Sequence, residues 1–370
     1  MNLRIPGPTP CPPDVLAAVG RQMINHRSPE FAALSGRVRE GLRPFFQTTG
    51  DILILTASGT GAMEAAIVNT LSPGERVLAV TIGSFGDRFA TIAETYGAKV
   101  TRLAFEWGQA ADPDAVRQAL RAQAGYAAVL VTHNDTSTAV MNPLGLICAA
   151  IHAESDALIL VDAVSSLGSI ELQADAWGVD VVATASQKGF MTPPGLAMLS
   201  LSEKAWRASQ RAQMPRFYLD LRKAKEFAEK GETPWTPALS IFYGLDVALE
   251  MLRQEGREAV FARHKRIAAY TRAGMKALGL ALFAEERYAS ETVTGVRAPE
   301  GIDGKAITKL LREKYQTVLG GGQGKLASKI FRIGHMGWVQ EADIDRVFDA
   351  LKQALPELGY SLPAGARAPR

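Results

Sequence analysis

Residues 157 to 162 read Ala157-Leu158-Ile159-Leu160-Val161-Asp162, and residues 179 to 188 read Val179-Asp180-Val181-Val182-Ala183-Thr184-Ala185-Ser186-Gln187-Lys188. Each stretch begins with a mainly apolar, β-branched run of strand length and ends in a charged residue. Further apolar runs of this kind are Ile52 to Leu55, Val77 to Ile82, Ala127 to Val131 and Leu196 to Leu201. Their recurrence predicts a central β-sheet.

Helix-like segments lie between several of these runs. They are Met63 to Leu71, Arg88 to Tyr96, Pro113 to Ala124 and Leu146 to Ala153. Strands that alternate with helices favour parallel pairing, because each helix carries the chain back to start the next strand in the same direction. We therefore predict an α/β fold with a mostly parallel central sheet covered by helices.

The pattern changes after residues 234 to 237. The elements predicted beyond this point are helices at Leu239 to Arg253, Ala259 to Leu278, Gly304 to Lys314 and Glu341 to Ala354, a glycine-rich turn at Gly320 to Gly324 and a strand at Ile330 to Ile333. A chain of this length usually forms about two domains. We predict an N-terminal arm near the functional site (residues 1–20), a large domain (21–245), a smaller C-terminal α+β domain (246–362) and a flexible tail (363–370).

Composition argues against several classes of protein. The formal charge of +3 arises from 41 basic and 38 acidic residues scattered along the chain, so no nucleic-acid partner is expected. Cys11 and Cys148 are too few for a disulfide framework, and no Cys/His cluster indicates a metal site. The N-terminus lacks the apolar core of a signal peptide, and no segment is apolar for long enough to cross a bilayer. We expect a cytoplasmic protein with no membrane partner.

The first strand end that suggests chemistry is Thr56-Ala57-Ser58-Gly59-Thr60-Gly61. Its glycines let the backbone approach an anion, its hydroxyls can donate to one, and a helix predicted to begin at Ala62 or Met63 would direct its N-terminal amides to the same point. This pattern is typical of a phosphate cradle, although it matches neither the Walker loop nor the dinucleotide fingerprint. Taken alone, a structural turn fits the stretch equally well.

Asp162 and Lys188 follow two successive predicted strands. Alone, the acid is typical of a turn or helix cap and the lysine of an exposed surface residue. Together they are the parts that pyridoxal phosphate (PLP) requires, since the lysine amine forms a Schiff base with the cofactor and the carboxylate faces its pyridine nitrogen. With the phosphate cradle upstream, the pair predicts a PLP site in which both residues are catalytic.

Four stretches resemble class V aminotransferases, which have the type I fold of PLP enzymes. They are residues 57–64, 132–138, 161–166 and 186–188. The similarity covers nearly the whole chain and is closest to the alanine-glyoxylate and serine-glyoxylate (serine-pyruvate) branch.

This resemblance implies roles for further residues. Cofactor contacts would come from Ser58, Gly59 and Thr60 in the cradle, from Phe85 stacked on the ring, from Thr136 near the phenolic oxygen, from Gln187 at the phosphate, and from Thr233 and Thr236 of a second subunit in a homodimer. Substrate contacts would come from Arg332 as the carboxylate clamp and from Gly7 in the N-terminal loop. His133 and His335 are predicted to be structural, and no metal is expected.

The predicted reaction is ping-pong transamination from alanine or serine to an oxo acid such as glyoxylate or pyruvate. The alternatives within the family are an aspartate or aminophosphonate aminotransferase, since one arginine does not define the substrate's second group, and a cysteine desulfurase or lyase. A desulfurase needs a mobile nucleophilic cysteine, and neither Cys11 near the N-terminus nor Cys148 in a helix-like run suits that role. A non-catalytic scaffold is disfavoured because Asp162, Lys188 and Arg332 are all present.

Overall fold

A computed structural model describes residues 1–365. Its strands are β1 (Asn2–Arg4), β2 (Asp51–Ala57), β3 (Arg76–Thr81), β4 (Lys99–Ala104), β5 (Ala128–Thr132), β6 (Asn134–Asp135), β7 (Val140–Met141), β8 (Leu158–Asp162), β9 (Val181–Ala185), β10 (Gly195–Leu201), β11 (Val293–Arg297), β12 (Thr317–Gly321) and β13 (Ile330–Gly334). Its α-helices are α1 (Pro13–Val19), α2 (Pro29–Phe46), α3 (Gly59–Thr70), α4 (Ser84–Thr95), α5 (Pro113–Ala122), α6 (Leu144–Glu154), α7 (Glu203–Ser209), α8 (Leu221–Glu229), α9 (Leu239–Glu255), α10 (Arg257–Ala277), α11 (Gly304–Tyr315) and α12 (Glu341–Glu357).

The central sheet has seven strands in the order β2-β10-β9-β8-β5-β3-β4. All of them run parallel except β10, which pairs antiparallel with β2 and β9. The predicted α/β fold with a mostly parallel sheet is therefore confirmed. The edge strand β4 was not predicted, because four of its six residues, Lys99 and Arg102 among them, are exposed and leave it without a continuous apolar run.

Apolar cores cover both faces of this sheet. Along β8, Ile159 and Val161 point into one core, while Leu158 and Leu160 point into the other. Such a strand is buried on both sides, which explains why its sequence is continuously apolar instead of alternating. Only the residues at its end are free to be polar without entering a core.

A second sheet, of four strands in the order β1-β12-β13-β11, packs with α10, α11 and α12 around its own core. The N-terminal strand β1 pairs in parallel with β12, so the first residues of the chain belong to this C-terminal sheet. Helix α9 runs through the predicted boundary at residues 245 and 246. The domain limits themselves remain a prediction, and residues 366–370 of the predicted tail lie outside the described residues.

Two local predictions need correction. Helix α3 begins at Gly59 and not at Ala62 or Met63, because Ser58 caps it by accepting a hydrogen bond from the amide of Gly61 at 3.3 Å. The turn predicted at residues 320–324 is instead the end of β12 followed by a short 3-10 helix, Gly324–Leu326. Within residues 1–365, the structure contains no helix that combines the length and apolar character needed to span a bilayer.

Candidate active site

Most of the predicted site residues lie at one edge of the central sheet, where its parallel strands end. In a parallel sheet these carboxyl ends face the same crevice. The residues that follow them are Ser58 after β2, Phe85 after β3, Asp135 and Thr136 after β5, Asp162 at the end of β8 and Lys188 after β9. The sheet topology therefore assembles groups that are far apart in the sequence.

The amine of Lys188 lies under the N-terminal segment. Its Nζ donates a hydrogen bond to the carbonyl of Pro6. Gly7, at φ +133°, leaves room for the lysine, because a Cβ atom there would lie 2.4 Å from Nζ. Thr9 fixes the same segment, with its amide donating to the carbonyl of Gln187 at 3.1 Å and its hydroxyl to that of Lys188 at 3.1 Å. The structure thus places Gly7 directly beside Lys188.

Burial and neighbouring charges tune this amine. Burial lowers the pKa of Lys188 to about 8; the carboxylate of Asp162 opposes that shift, whereas the positive charges of Arg332 and Arg88 add to it. An exposed lysine has a pKa of about 10.4. At pH 7 about one Lys188 side chain in ten is therefore a neutral, nucleophilic amine, far more than for an exposed lysine.

We expect the pH dependence of amine reactivity to reveal this shift. Reductive methylation with formaldehyde and cyanoborohydride consumes the neutral amine, so labelling of Lys188 should rise with pH and reach half of its maximum near pH 8. Mass spectrometry of the labelled peptides measures the rate. Lys309, exposed on α11, is labelled in the same reaction and is the internal control for the reagent. A labelling profile of Lys188 without a midpoint near pH 8 would contradict the lowered pKa.

Asp162 is the acid of the site. It is only 4% exposed, and its Oδ1 accepts a hydrogen bond from the amide of Val164 at 2.9 Å. Burial raises its pKa to about 6 and Asp135 raises it further, while the Val164 amide and the charges of Lys188 and Arg88 lower it. Because Asp162 and Lys188 each shift the pKa of the other, both side chains lie in one region.

The cradle lies against this acid. A Cβ atom on Gly59 would lie 2.9 Å from both methyl groups of Val164 and 3.4 Å from Cβ of Ala185. Glycine therefore lets the N-terminus of α3 approach the loop after Asp162 and the strand that leads to Lys188. The amides of this helix end and the hydroxyl of Thr60 are donors that can bind an anion at that point.

Asp135 is a further residue of this cluster, and the sequence patterns did not single it out. Its buried carboxylate accepts hydrogen bonds from the amides of Phe85 at 3.0 Å and Gly86 at 3.2 Å, and from the amide and hydroxyl of Ser137 at 2.9 and 2.6 Å. Burial raises the pKa of Asp135, whereas the hydrogen bonds from these donors lower it. The acid thereby holds the start of α4, and with it the ring of Phe85, at the edge of the site. Asp135 lies within residues 132–138, which resemble the family, but its hydrogen-bond donors could be identified only from the fold.

Arg332 extends from β13 into the same region and is 5% exposed. Its Nε donates to the carbonyl of Gly321 and its Nη1 to that of Thr136, each at 2.8 Å. Within residues 1–365, Nη2 has no hydrogen-bond partner and is available to a ligand. Burial lowers the pKa of Arg332 to about 10, so it is still a cation at neutral pH. The arrangement is suited to binding a carboxylate.

Some predicted site residues are not brought to this cluster. Thr233 donates its hydroxyl to the carbonyl of Trp235 at 2.8 Å, and Thr236 is exposed. Neither is hydrogen-bonded to Lys188 or Asp162 within the described part of the chain, and their predicted role involves a second subunit. His133 and His335, which were predicted to be structural, are buried, and burial lowers the pKa values of their imidazoles to about 4 and about 3.

The fold and the site together define an α/β enzyme that presents a lysine amine, a buried acid, an anion cradle and a buried guanidinium at one sheet edge. The family model described as aminotransferase class-V matches residues 6–346. The chain belongs to the class-V aminotransferases, as the sequence resemblance predicted.

Individual proteins support this membership. The chain is 46% identical to a Synechococcus protein named soluble hydrogenase, small subunit (97% of this chain, 94% of that one). It is 38% identical to an L-aspartate–glyoxylate aminotransferase of Paracoccus denitrificans (98% and 93%) and 38% identical to a serine–glyoxylate aminotransferase of Hyphomicrobium methylovorum (99% and 92%). The crystal structure of an alanine–glyoxylate aminotransferase from Nostoc superimposes with a TM-score of 0.92 at 33% identity (96% and 95%).

Proposed function

We propose that the protein is a PLP-dependent aminotransferase that moves the amino group of alanine or serine to glyoxylate or pyruvate. The observation that carries this proposal is the position of Lys188 and Asp162 in one buried region, at the ends of the adjacent parallel strands β8 and β9. Family membership supports the reaction class, and three of the four relatives named above carry glyoxylate in their names.

The residues present fit PLP. The helix end and hydroxyls of residues 58–61 suit its phosphate, Asp162 suits its pyridine nitrogen, and the amine of Lys188 suits its aldehyde. Gln187 has a buried amide oxygen without a partner in residues 1–365, and rotation of that amide presents an N–H donor instead. When bound, the cofactor supplies an electron-withdrawing ring that stabilises negative charge on the substrate.

The protein's own side chains would bind the substrate, transfer its proton and exclude water. Arg332 binds the substrate carboxylate through the N–H groups that its carbonyl partners leave free, which orients the substrate. The amine of Lys188 takes a proton from the substrate Cα and would deliver it to the aldehyde carbon of the cofactor, and its lowered pKa suits this transfer near neutral pH. Asp162 holds a proton on the pyridine nitrogen, and the segment from Pro6 to Thr9 excludes water from the amine.

Neither cysteine supports a desulfurase or lyase reaction. Burial raises the pKa of the Cys148 thiol to about 12, and burial also raises the pKa of Cys11. Thiols with raised pKa values are poor nucleophiles, because the thiolate is the reactive form. An aspartate or aminophosphonate aminotransferase is the second candidate, and the Paracoccus relative, named an L-aspartate–glyoxylate aminotransferase, favours it.

A homodimer is part of the proposal. Thr233 and Thr236 would contribute to the phosphate site of a partner subunit, and aromatic side chains near them are exposed, with Phe217 at 72%. Trp235 packs against Phe217 with ring centroids 4.9 Å apart, which gives this surface the apolar area that an interface needs. A cytoplasmic location remains the expectation from the sequence.

Half-reactions with single amino acids test the proposal. We expect alanine or serine to discharge the visible absorbance of the PLP-loaded protein faster than glycine, aspartate or 2-aminoethylphosphonate.

Arg332→Lys should lower kcat/KM for the amino acid by roughly 10- to 100-fold, because an ammonium cannot reproduce the bidentate contact. The absorbance of the loaded protein should persist in this variant.

Arg297→Lys is the matched control, since this arginine is exposed on the neighbouring strand β11 and should leave kcat/KM unchanged. A response to aspartate alone would favour the second candidate. A protein that takes up no PLP, or that responds to no amino acid, would contradict the proposed function.

A further inference from the structure

Arg88 is a cation beside the cradle that neither the sequence prediction nor the family comparison assigns to a role. It lies in the second turn of α4, and its side chain is exposed. Its Cζ is 4.9 Å from the centroid of the Phe85 ring, and its Nη1 donates to the hydroxyl of Thr60 at 3.4 Å. Both contacts are to neutral groups, so the charge of the guanidinium is available to an anion.

The cradle itself is uncharged. Its donors are the hydroxyls of Ser58 and Thr60 and the amides at the start of α3. A phosphate monoester carries a charge between about −1.5 and −2 at neutral pH. Dipoles of a helix end favour such an anion, but a guanidinium adds a charge-assisted and bidentate contact that dipoles do not supply.

The charge of Arg88 also acts on Lys188 and Asp162, the two groups that would react with or bind the cofactor ring. Its positive charge lowers the pKa of both Lys188 and Asp162, which places the guanidinium close to the cofactor site. Its side chain is long and already touches a cradle hydroxyl, so a small rotation is enough to reach a phosphate bound there.

We infer that Arg88 is a cofactor-binding residue whose guanidinium pairs with the phosphate of PLP at the cradle. This inference rests on the proposed function, since it requires the cradle to bind that phosphate. On cofactor binding, the Arg88 guanidinium would give up its hydrogen bond to the Thr60 hydroxyl and donate to the phosphate oxygens. Its cation–π contact with the ring of Phe85 would be kept.

Comparison of two cofactors tests this pairing, because pyridoxal has the aldehyde and ring of PLP but no phosphate. Dissociation constants for both are measured by titration of the apoprotein, followed by visible absorbance. Arg88→Gln should weaken PLP binding by roughly 10- to 100-fold and pyridoxal binding by less than about 3-fold. Arg88→Lys should recover part of the loss. Inorganic phosphate should compete with PLP less effectively in Arg88→Gln than in the wild type.

Arg102→Gln is the matched control, because this exposed arginine pairs with Glu94 at the other end of α4 and should leave both dissociation constants unchanged. Equal weakening of PLP and pyridoxal by Arg88→Gln would show that Arg88 only supports Phe85 and would overturn the inference. Unchanged PLP binding would overturn it as well. A wild-type protein that binds neither cofactor would overturn the proposed function and this inference with it. Thermal unfolding of the apoproteins checks that each variant is folded.

Discussion

Replacing Lys188 by alanine is expected to abolish covalent attachment of PLP and to lower kcat by at least about 10³-fold, since one amine both holds the cofactor and moves the substrate proton. Borohydride reduction of the loaded protein followed by peptide mass spectrometry locates the attachment. In the wild type, the peptide that contains Lys188 should carry the phosphopyridoxyl group. In Lys188→Ala, no peptide should carry it in stoichiometric amount.

Lys309→Ala controls for the loss of a lysine as such, because this side chain is exposed on α11, away from the site. It should keep both the attachment and the activity of the wild type. Stoichiometric modification of another lysine in Lys188→Ala, together with retained turnover, would show that the amine has been assigned incorrectly.

Asp162→Asn is expected to separate activity from stability. The amide cannot hold a proton on the pyridine nitrogen as a carboxylate does, so kcat should fall by about 10²- to 10⁴-fold while the side-chain shape and the contact with the Val164 amide are kept. Single-turnover conversion of the PLP-loaded variant with alanine measures the loss.

The same substitution should raise the thermal stability of the apoprotein. The folded-state pKa of Asp162 is raised to about 6, above the value of 3.8 for an unperturbed aspartate, so ionisation destabilises the apoprotein. This destabilisation is absent below pH 3.8, grows as the pH rises and is complete above about pH 6. Asparagine removes it, and the melting temperature should therefore increase by a few degrees at pH 8 and little at pH 4. A loss of stability at pH 8 would indicate that Asp162 has a structural role instead.

Most of the central sheet could be predicted because its strands are buried on both faces. Burial forces continuous apolar sequences such as Leu158 to Val161, and these stand out without any knowledge of their neighbours. The edge strand β4 could not be found in this way, since one side of it meets water and its charged residues interrupt the pattern. Helix α3 starts earlier than predicted because Ser58 caps it, and glycine stands at position 59 because a Cβ atom there would lie 2.9 Å from the methyl groups of Val164.

The parts of the site that could be predicted are chemically reactive residues that directly follow an apolar run in the sequence. Lys188 and Asp162 each follow an apolar run, so the strand ends alone indicated that they meet. Asp135 and Arg88 were missed because their importance depends on what they contact: the first holds amides of another segment, and the second borders a cradle formed 28 residues earlier in the chain. For Thr233 and Thr236, a single chain does not contain the surface on which they are predicted to act.

The position of β1 has a consequence for biosynthesis. Asn2 to Arg4 pair with Thr317 to Leu319, and the residues just after β1 are those that cover Lys188. Because this pairing joins segments that are far apart in the sequence, β1 has no partner until residues 317–319 have left the ribosome. A nascent chain can thus form its central sheet and yet remain open over the reactive lysine, which is covered only after β12 has been synthesised.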